Sequence, residues 1–268
     1  MHLPAGRILF EVVTDTTAGV RAAVTGGADR IELVSALAVG GVTPSPGFMR
    51  QAARCGVPVR AMIRPRPGDF CYDSDELDVM RHDIEAARSA GLSGVVFGAN
   101  LPSGELDLHA LGRLCAHASA LGLQTALHRS FDLVPDPIEA LDAAISLGIA
   151  TVLTSGGAAT AREGVETLRR LAAHAGGRIE VLAGVGVTAA NVADIVALSG
   201  VASVHASCAV SPEGSDGLAG RLRAHQMLTD ANAVTAVRQT LDSIDERHGV
   251  TGADPASTDG GEQYHVIC

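Results

Sequence analysis

Gly26-Gly27-Ala28-Asp29-Arg30-Ile31-Glu32-Leu33-Val34 compresses a helix stop, a tight turn and a short apolar run into nine residues. Glycine ends a helix cheaply because it reaches the left-handed conformation, and the Ile/Leu/Val content that follows suits a buried pleated surface. The same join recurs at Gly91-Leu92 and Gly148-Ile149, each time between an Ala/Leu-rich amphipathic segment and an apolar run. Working outward from these joins gives eight runs, at 8–13, 30–34, 59–64, 94–98, 124–129, 151–154, 179–183 and 201–206. Their starts fall 22 to 35 residues apart, the length of one strand plus one crossover helix.

Helix signals fill the gaps. Asp15 and Thr16 can cap a helix running to Val24, Ser74-Asp75 precede 76–90, Asp136-Pro137 open 138–147, Thr160 precedes 161–173, and 229–244 reads as a last helix. Eight βα units with nearly continuous apolar strands predict a parallel sheet covered on both faces, in the α/β class. A closed (β/α)8 TIM barrel satisfies the count, and its usual length of roughly 250 residues matches this chain. An open doubly wound sheet is the competitor, weakened because no Gly-x-Gly-x-x-Gly fingerprint follows the first run. The expected organisation is one barrel domain over 1–245, a loop at 211–220 over one mouth, and a flexible tail at 246–268 without hydrophobic periodicity.

Of the 268 residues, 47% are apolar, enough for a large core, while only 3% are aromatic, so Ala, Val, Leu and Ile must build it. Thirty acids oppose 20 bases, all arginine, for a net charge of −10; no basic tract offsets phosphate repulsion, which argues against nucleic acid as partner. Five cysteines without CxxC spacing argue against a disulfide framework or a zinc ribbon. No run is long and apolar enough for a signal peptide or a membrane span, so a reducing cytoplasm is the expected location.

In such a barrel ligands meet the C-terminal strand ends. Strand one is expected to end with Glu11, strand two with Glu32 and strand three with Arg64, followed by Arg66 and Asp69. Strand five ends at His128-Arg129, with Asp132 beyond; strand six runs into Ser155-Gly156-Gly157, strand seven into Gly184-Val185-Gly186, and strand eight holds His205 and Ser207. Side chains two apart share a strand face. Two carboxylates, an arginine and two imidazoles can therefore converge in the lumen, with Glu11, Glu32, His128 and Asp132 as candidate acid–base groups. Arg64, Arg66, Arg129 and the glycine turns Ser155-Gly156-Gly157 and Gly184-Val185-Gly186, with His205 and Ser207, are candidate contacts for a small anionic ligand. The plainer alternative is a buried ion network fixing barrel register, two satisfied core histidines and glycines serving only tight turns. A hard divalent ion on Glu11, Glu32, Asp132 or His128 is chemically easier to draw than Cu(I), because Cys71 and Cys208 do not follow neighbouring strands and Cys55 and Cys115 fall in expected helices.

Five blocks resemble the CutC family across about residues 9 to 241. They are Gly26 to Leu33; Ser35-Ala36-Leu37-Ala38-Val39-Gly40-Gly41-Val42-Thr43-Pro44-Ser45-Pro46-Gly47; Met62-Ile63-Arg64-Pro65-Arg66-Pro67-Gly68-Asp69-Phe70-Cys71-Tyr72; His128-Arg129-Ser130-Phe131-Asp132; and Leu153-Thr154-Ser155-Gly156-Gly157. The resemblance implies a cytoplasmic (β/α)8 barrel, a homodimer or higher homo-oligomer, and a role in copper homeostasis with copper as the bound metal. It also exposes departures. Val13 and Val34 stand where the family often has cysteines, the usual His-Gly-Ser reads His205-Ala206-Ser207, and Val185 interrupts a glycine run. Two functions are therefore expected in competition: a CutC-type copper protein, and a barrel enzyme using acid–base chemistry on a small phosphorylated or carboxylated compound. An interaction scaffold working through the barrel exterior is a third.

Overall fold

The computed structural model of the chain describes residues 7–210 and 228–250, with side chains as far as 245. Eight parallel strands close on themselves in sequence order: β1 (Leu9–Thr14), β2 (Arg30–Leu33), β3 (Val59–Met62), β4 (Gly94–Phe97), β5 (Gln124–Leu127), β6 (Thr151–Thr154), β7 (Glu180–Ala183) and β8 (Ser203–Ala206). The helices that cover them are α1 (Thr17–Thr25), α2 (Pro46–Ala52), α3 (Ser74–Ala90), α4 (Leu108–Ala120), α5 (Pro137–Ser146), α6 (Val165–Ala175), α7 (Val192–Ser199) and α8 (Ala231–Val250). The (β/α)8 barrel holds and the open sheet is excluded, because β1 pairs with both β2 and β8.

Local chemistry explains the element ends. Thr16 caps α1 by accepting from Gly19 N, and Asp136 caps α5 with Pro137 behind it, as the sequence indicates. For α3 the cap is Asp73, one residue earlier than Ser74, because Asp73 and Glu76 complete a capping box. The helix expected at 161–173 starts only at Val165: Thr160 caps a preceding turn, and Gly164 passes so close to the Ser155 carbonyl that an added Cβ would sit 1.9 Å from it. Cys55 lies beyond the end of α2 rather than within a helix. Helix α8 runs past the expected domain limit at 245 to Val250. The loop at 211–220 and the tail beyond 250 lie outside the described residues.

Alternation divides each strand. Phe10, Val12, Ile31, Leu33, Val95, Phe97, Leu127 and Val204 face outward into one continuous apolar layer beneath the helices. Each such side chain contributes roughly 1.5–3 kcal/mol of burial. The inward residues are polar to an unusual degree. Arg30 on β2 reaches Glu180 on β7, and Arg60 on β3 reaches Thr151 on β6 at 2.9 Å. Strands that are not neighbours can exchange such contacts only through the lumen.

At the N-terminal end, α8 is tied back to the start of the barrel. Buried Arg238 donates to the Ile8 carbonyl at 2.9 Å and to Asp29 at 3.0 Å, and Asp29 also pairs with Arg7 at 3.0 Å.

Candidate functional site

Glu11 and His205 stand in register on adjacent strands, and Glu32 projects inward from β2 beside them. His205 Nδ1 lies 2.8 Å from Glu11 Oε1, while its Nε2 is 3.7 Å from Glu32 Oε2, too far for a direct hydrogen bond. Arg30 Nε donates to the other Glu11 oxygen. All four side chains are buried, and Glu32 Oε1 has no hydrogen-bond partner. Glu32 lies one residue from the end of β2, close to where the sequence put it, whereas Glu11 does not sit at a strand end. β1 continues to Thr14, so Glu11 lies in the middle of the strand, deep in the lumen.

The environment splits the two carboxyls. Burial alone would raise Glu11, but Arg30 and His205 outweigh it and hold the group well below the usual carboxylate range. Glu32 lacks a hydrogen-bonded cation; burial pushes it up to about 7, reinforced by the Glu11 charge and opposed by His205. For His205 burial disfavours the charge, yet the bond to Glu11 and the two acids raise its pKa. A proton-rich Glu32–His205 pair thus sits against an ionised Glu11.

A second ring of polar groups lies above, just past the ends of β3 and β5. Arg64 donates from Nη1 to the carbonyls of Val39 at 3.1 Å and Gly41 at 3.0 Å, and from Nη2 to that of Gly68 at 2.8 Å. Its guanidinium stacks 5.0 Å from the Phe70 ring centre, and the His128 ring packs on Phe70 at 4.6 Å. His128 Nδ1 accepts from Ser130 N at 3.1 Å, so the imidazole proton resides on Nε2. Burial and the neighbouring Arg64 charge push His128 down to about 3, which keeps it neutral.

Asp132, expected as an acid–base group, is instead a loop anchor. It accepts from Ser155 N and Gly157 N at 3.0 and 3.2 Å, from the hydroxyls of Thr154 and Ser155, and from Arg129 Nε at 2.9 Å. The amides of Ser155 and Gly157 are thereby consumed, and that of Gly156 goes to Thr154 Oγ1 at 2.8 Å. An anion cradle built from these amides is not what the fold makes. The Gly184 amide donates to the Thr154 carbonyl within the sheet. Arg66 is spent on Asp69 of the β3–α3 connection and on Glu76 in the first turn of α3.

A cavity of about 470 Å³ opens at the mouth between β1, β6–β8 and α8. Val13, Leu153, Gly186 and Ser207 line it, Arg129 reaches it, and His205 forms part of its wall. Val185, also in the wall, adopts φ +79°, a left-handed backbone that a β-branched residue rarely takes.

Residues the sequence reading missed are Arg30, Arg60 and Glu180, which share the lumen with the acids. The alternation rule applied to Glu32 points equally to Arg30, and applied to Arg64 points to Arg60; attention to strand ends alone passed them over.

The CutC family pattern matches residues 8–210. The chain belongs to the CutC family. A CutC family protein of Sinorhizobium medicae is 50% identical over 244 residues, covering 89% of this chain and 98% of that one. One from Caulobacter vibrioides is 51% identical over 214 residues, 80% and 86% of the two chains. The crystal structure of a Streptococcus agalactiae protein, described as a putative copper homeostasis protein CutC, superposes with TM-score 0.71 at 31% identity, covering 75% of this chain and 98% of that one. Thiamine phosphate pyrophosphorylase from Pyrococcus furiosus, at 16% identity and TM-score 0.56, shares the fold.

The copper association of the CutC name can be tested against the donors present. Cu(I) favours thiolate and thioether sulfur. At the barrel mouth Val13 and Val34 pack on Met62 in a small apolar cluster. Burial, helped by Asp230, pushes the Cys208 thiol up to about 11, away from the thiolate. This set does not fit a Cu(I) thiolate site. The donor atoms of Glu11, Glu32 and His205 do lie within 4.8 Å of one another, an oxygen-and-nitrogen set suited to a harder divalent ion, although both Glu11 oxygens already have partners. No helix among the described residues is long and apolar enough to cross a membrane.

Proposed function

We propose that the chain serves copper homeostasis, the role attached to the Streptococcus agalactiae relative, as a barrel enzyme rather than as a Cu(I) carrier. The observation that carries this reading is the buried Glu32 carboxyl, with one oxygen unpaired, beside an imidazole that Glu11 holds in a fixed orientation. A carboxyl pushed up to about 7 is matched to proton transfer at neutral pH. In this role Glu32 exchanges a proton with a small ligand entering from the cavity. His205, charged and aimed by Glu11, donates from Nε2 to oxygen that gains negative charge. Arg30 fixes Glu11, so the imidazole need not reorient during reaction.

A thermal-shift screen of small carboxylated and phosphorylated compounds, followed by product detection on the hits, tests this. Glu32→Gln is expected to abolish turnover while ligand binding persists, and the rate profile of the unaltered protein is expected to bend near pH 7. A stoichiometric Cu(I) site that survives both Glu32→Gln and His205→Asn under chelator competition, and vanishes on Cys208→Ser, would overturn the reading.

A further inference from the structure

Among the described residues Arg64 has no acidic partner, yet it is buried. Three main-chain carbonyls satisfy its Nη atoms, which leaves Nε buried without a hydrogen bond. His128 Nε2 is likewise buried and unpartnered, and it carries the ring proton because Nδ1 accepts from Ser130 N. Both groups pack on Phe70. The Tyr72 hydroxyl stands beside Arg64, near enough for its oxygen to face the guanidinium, although no hydrogen bond of good geometry joins the two. Arg64 Nε and His128 Nε2 can only donate, and among the described residues no carboxylate stands beside the guanidinium. A buried unpaired donor costs far more than the bond that would satisfy it, so the missing component is an acceptor, and the unneutralised guanidinium favours an anionic one.

We infer that the carboxylate or phosphate group of a small ligand docks between Arg64 and His128 beside Phe70, taking the Arg64 Nε–H and His128 Nε2–H bonds. Approach is from the mouth, where the carbonyls of Val39, Gly41 and Gly68 that hold Arg64 belong to surface connections, with Val39, Gly40 and Gly68 exposed. Left-handed Ala36, Gly40 and Gly41 give the first of these connections places to turn. The inference deepens the enzyme reading by naming the ligand class, but the anion site does not include Glu32.

The test uses the full chain with inorganic phosphate and malonate as separate probes, against sodium chloride at equal ionic strength, read by the His128 imidazole resonances in NMR. A saturable change at His128 is expected with at least one probe, and the responding probe distinguishes phosphate from carboxylate. Binding is expected to raise the His128 pKa, since the anion offsets Arg64. His128→Asn keeps an acceptor for Ser130 N and loses the Nε2 donor, and Tyr72→Phe removes only a hydroxyl. Arg64→Gln, if it folds, and His128→Asn are each expected to weaken binding about tenfold to a hundredfold by calorimetry, while Glu32→Gln binds normally. Absence of any saturable response at His128, as when trapped water fills the gap, or unchanged affinity in His128→Asn, would overturn the inference. Loss of turnover in Glu32→Gln alongside such a result leaves the acid–base reading standing; anion binding without any turnover does the reverse.

Discussion

The deep ring around Glu11 and the upper ring around His128 share one lumen, and their partners differ in kind. In the deep ring, acids and cations interleave: His205 and Arg30 on Glu11, Arg30 again on Glu180. In the upper ring a guanidinium and a neutral imidazole stand beside an aromatic ring, and the carboxylate of Asp132 is turned away to hold 154–157. The contrast separates two tasks. Charges that neutralise one another inside the protein fix geometry and proton affinity, whereas donors left without acceptors are a site still waiting for its other half.

The sharpest way to break the deep ring is Glu11→Gln. It removes the charge that Arg30 and His205 share, and a loss of about 3–5 kcal/mol in urea unfolding is expected. Next comes an effect of opposite sign. The folded value of Glu32, about 7, lies above its ordinary 4.5, so the protonated form favours the fold. That contribution is whole below about pH 4.5 and is lost as pH rises through about 7. Glu32→Gln is therefore expected to stabilise the protein near pH 8 by on the order of 3 kcal/mol and to do little near pH 4.5, as calorimetric melting at the two values will show. In the upper ring, Asp132→Ala frees several donors at once; a cost of about 1–3 kcal/mol and faster amide exchange at 155–157 are expected. The smallest effect belongs to the cavity wall. Val185→Gly relieves the left-handed valine and is expected to gain about 1 kcal/mol, measured by chemical denaturation. A loss there would mean that packing of the isopropyl group outweighs backbone strain.

Much of this was legible in the chain. Glycine joins at 26–27, 91 and 148 marked three strand starts, apolar runs at regular spacing gave the rest, and period-two alternation brought Glu11, Glu32 and His205 together. Strand limits were less legible, because the run read as 59–64 carries its inward alternation on to Arg64, while strand β3 ends at Met62 and only the Ile63 amide still bonds to β4. Asp132 was misread for a different reason. Whether a carboxylate works on a ligand or on a neighbouring loop depends on where Ser155 and Gly157 come to rest, and local sequence does not encode that distance.

Arg238 ties α8, the last helix described, to the carbonyl of Ile8 at the start of the barrel. During synthesis the first strand therefore waits for a clasp made hundreds of residues later. Bringing such distant segments together is entropically slow, so barrel closure is a late event, and a nascent chain halted before α8 leaves the ribosome carries an unlatched cylinder.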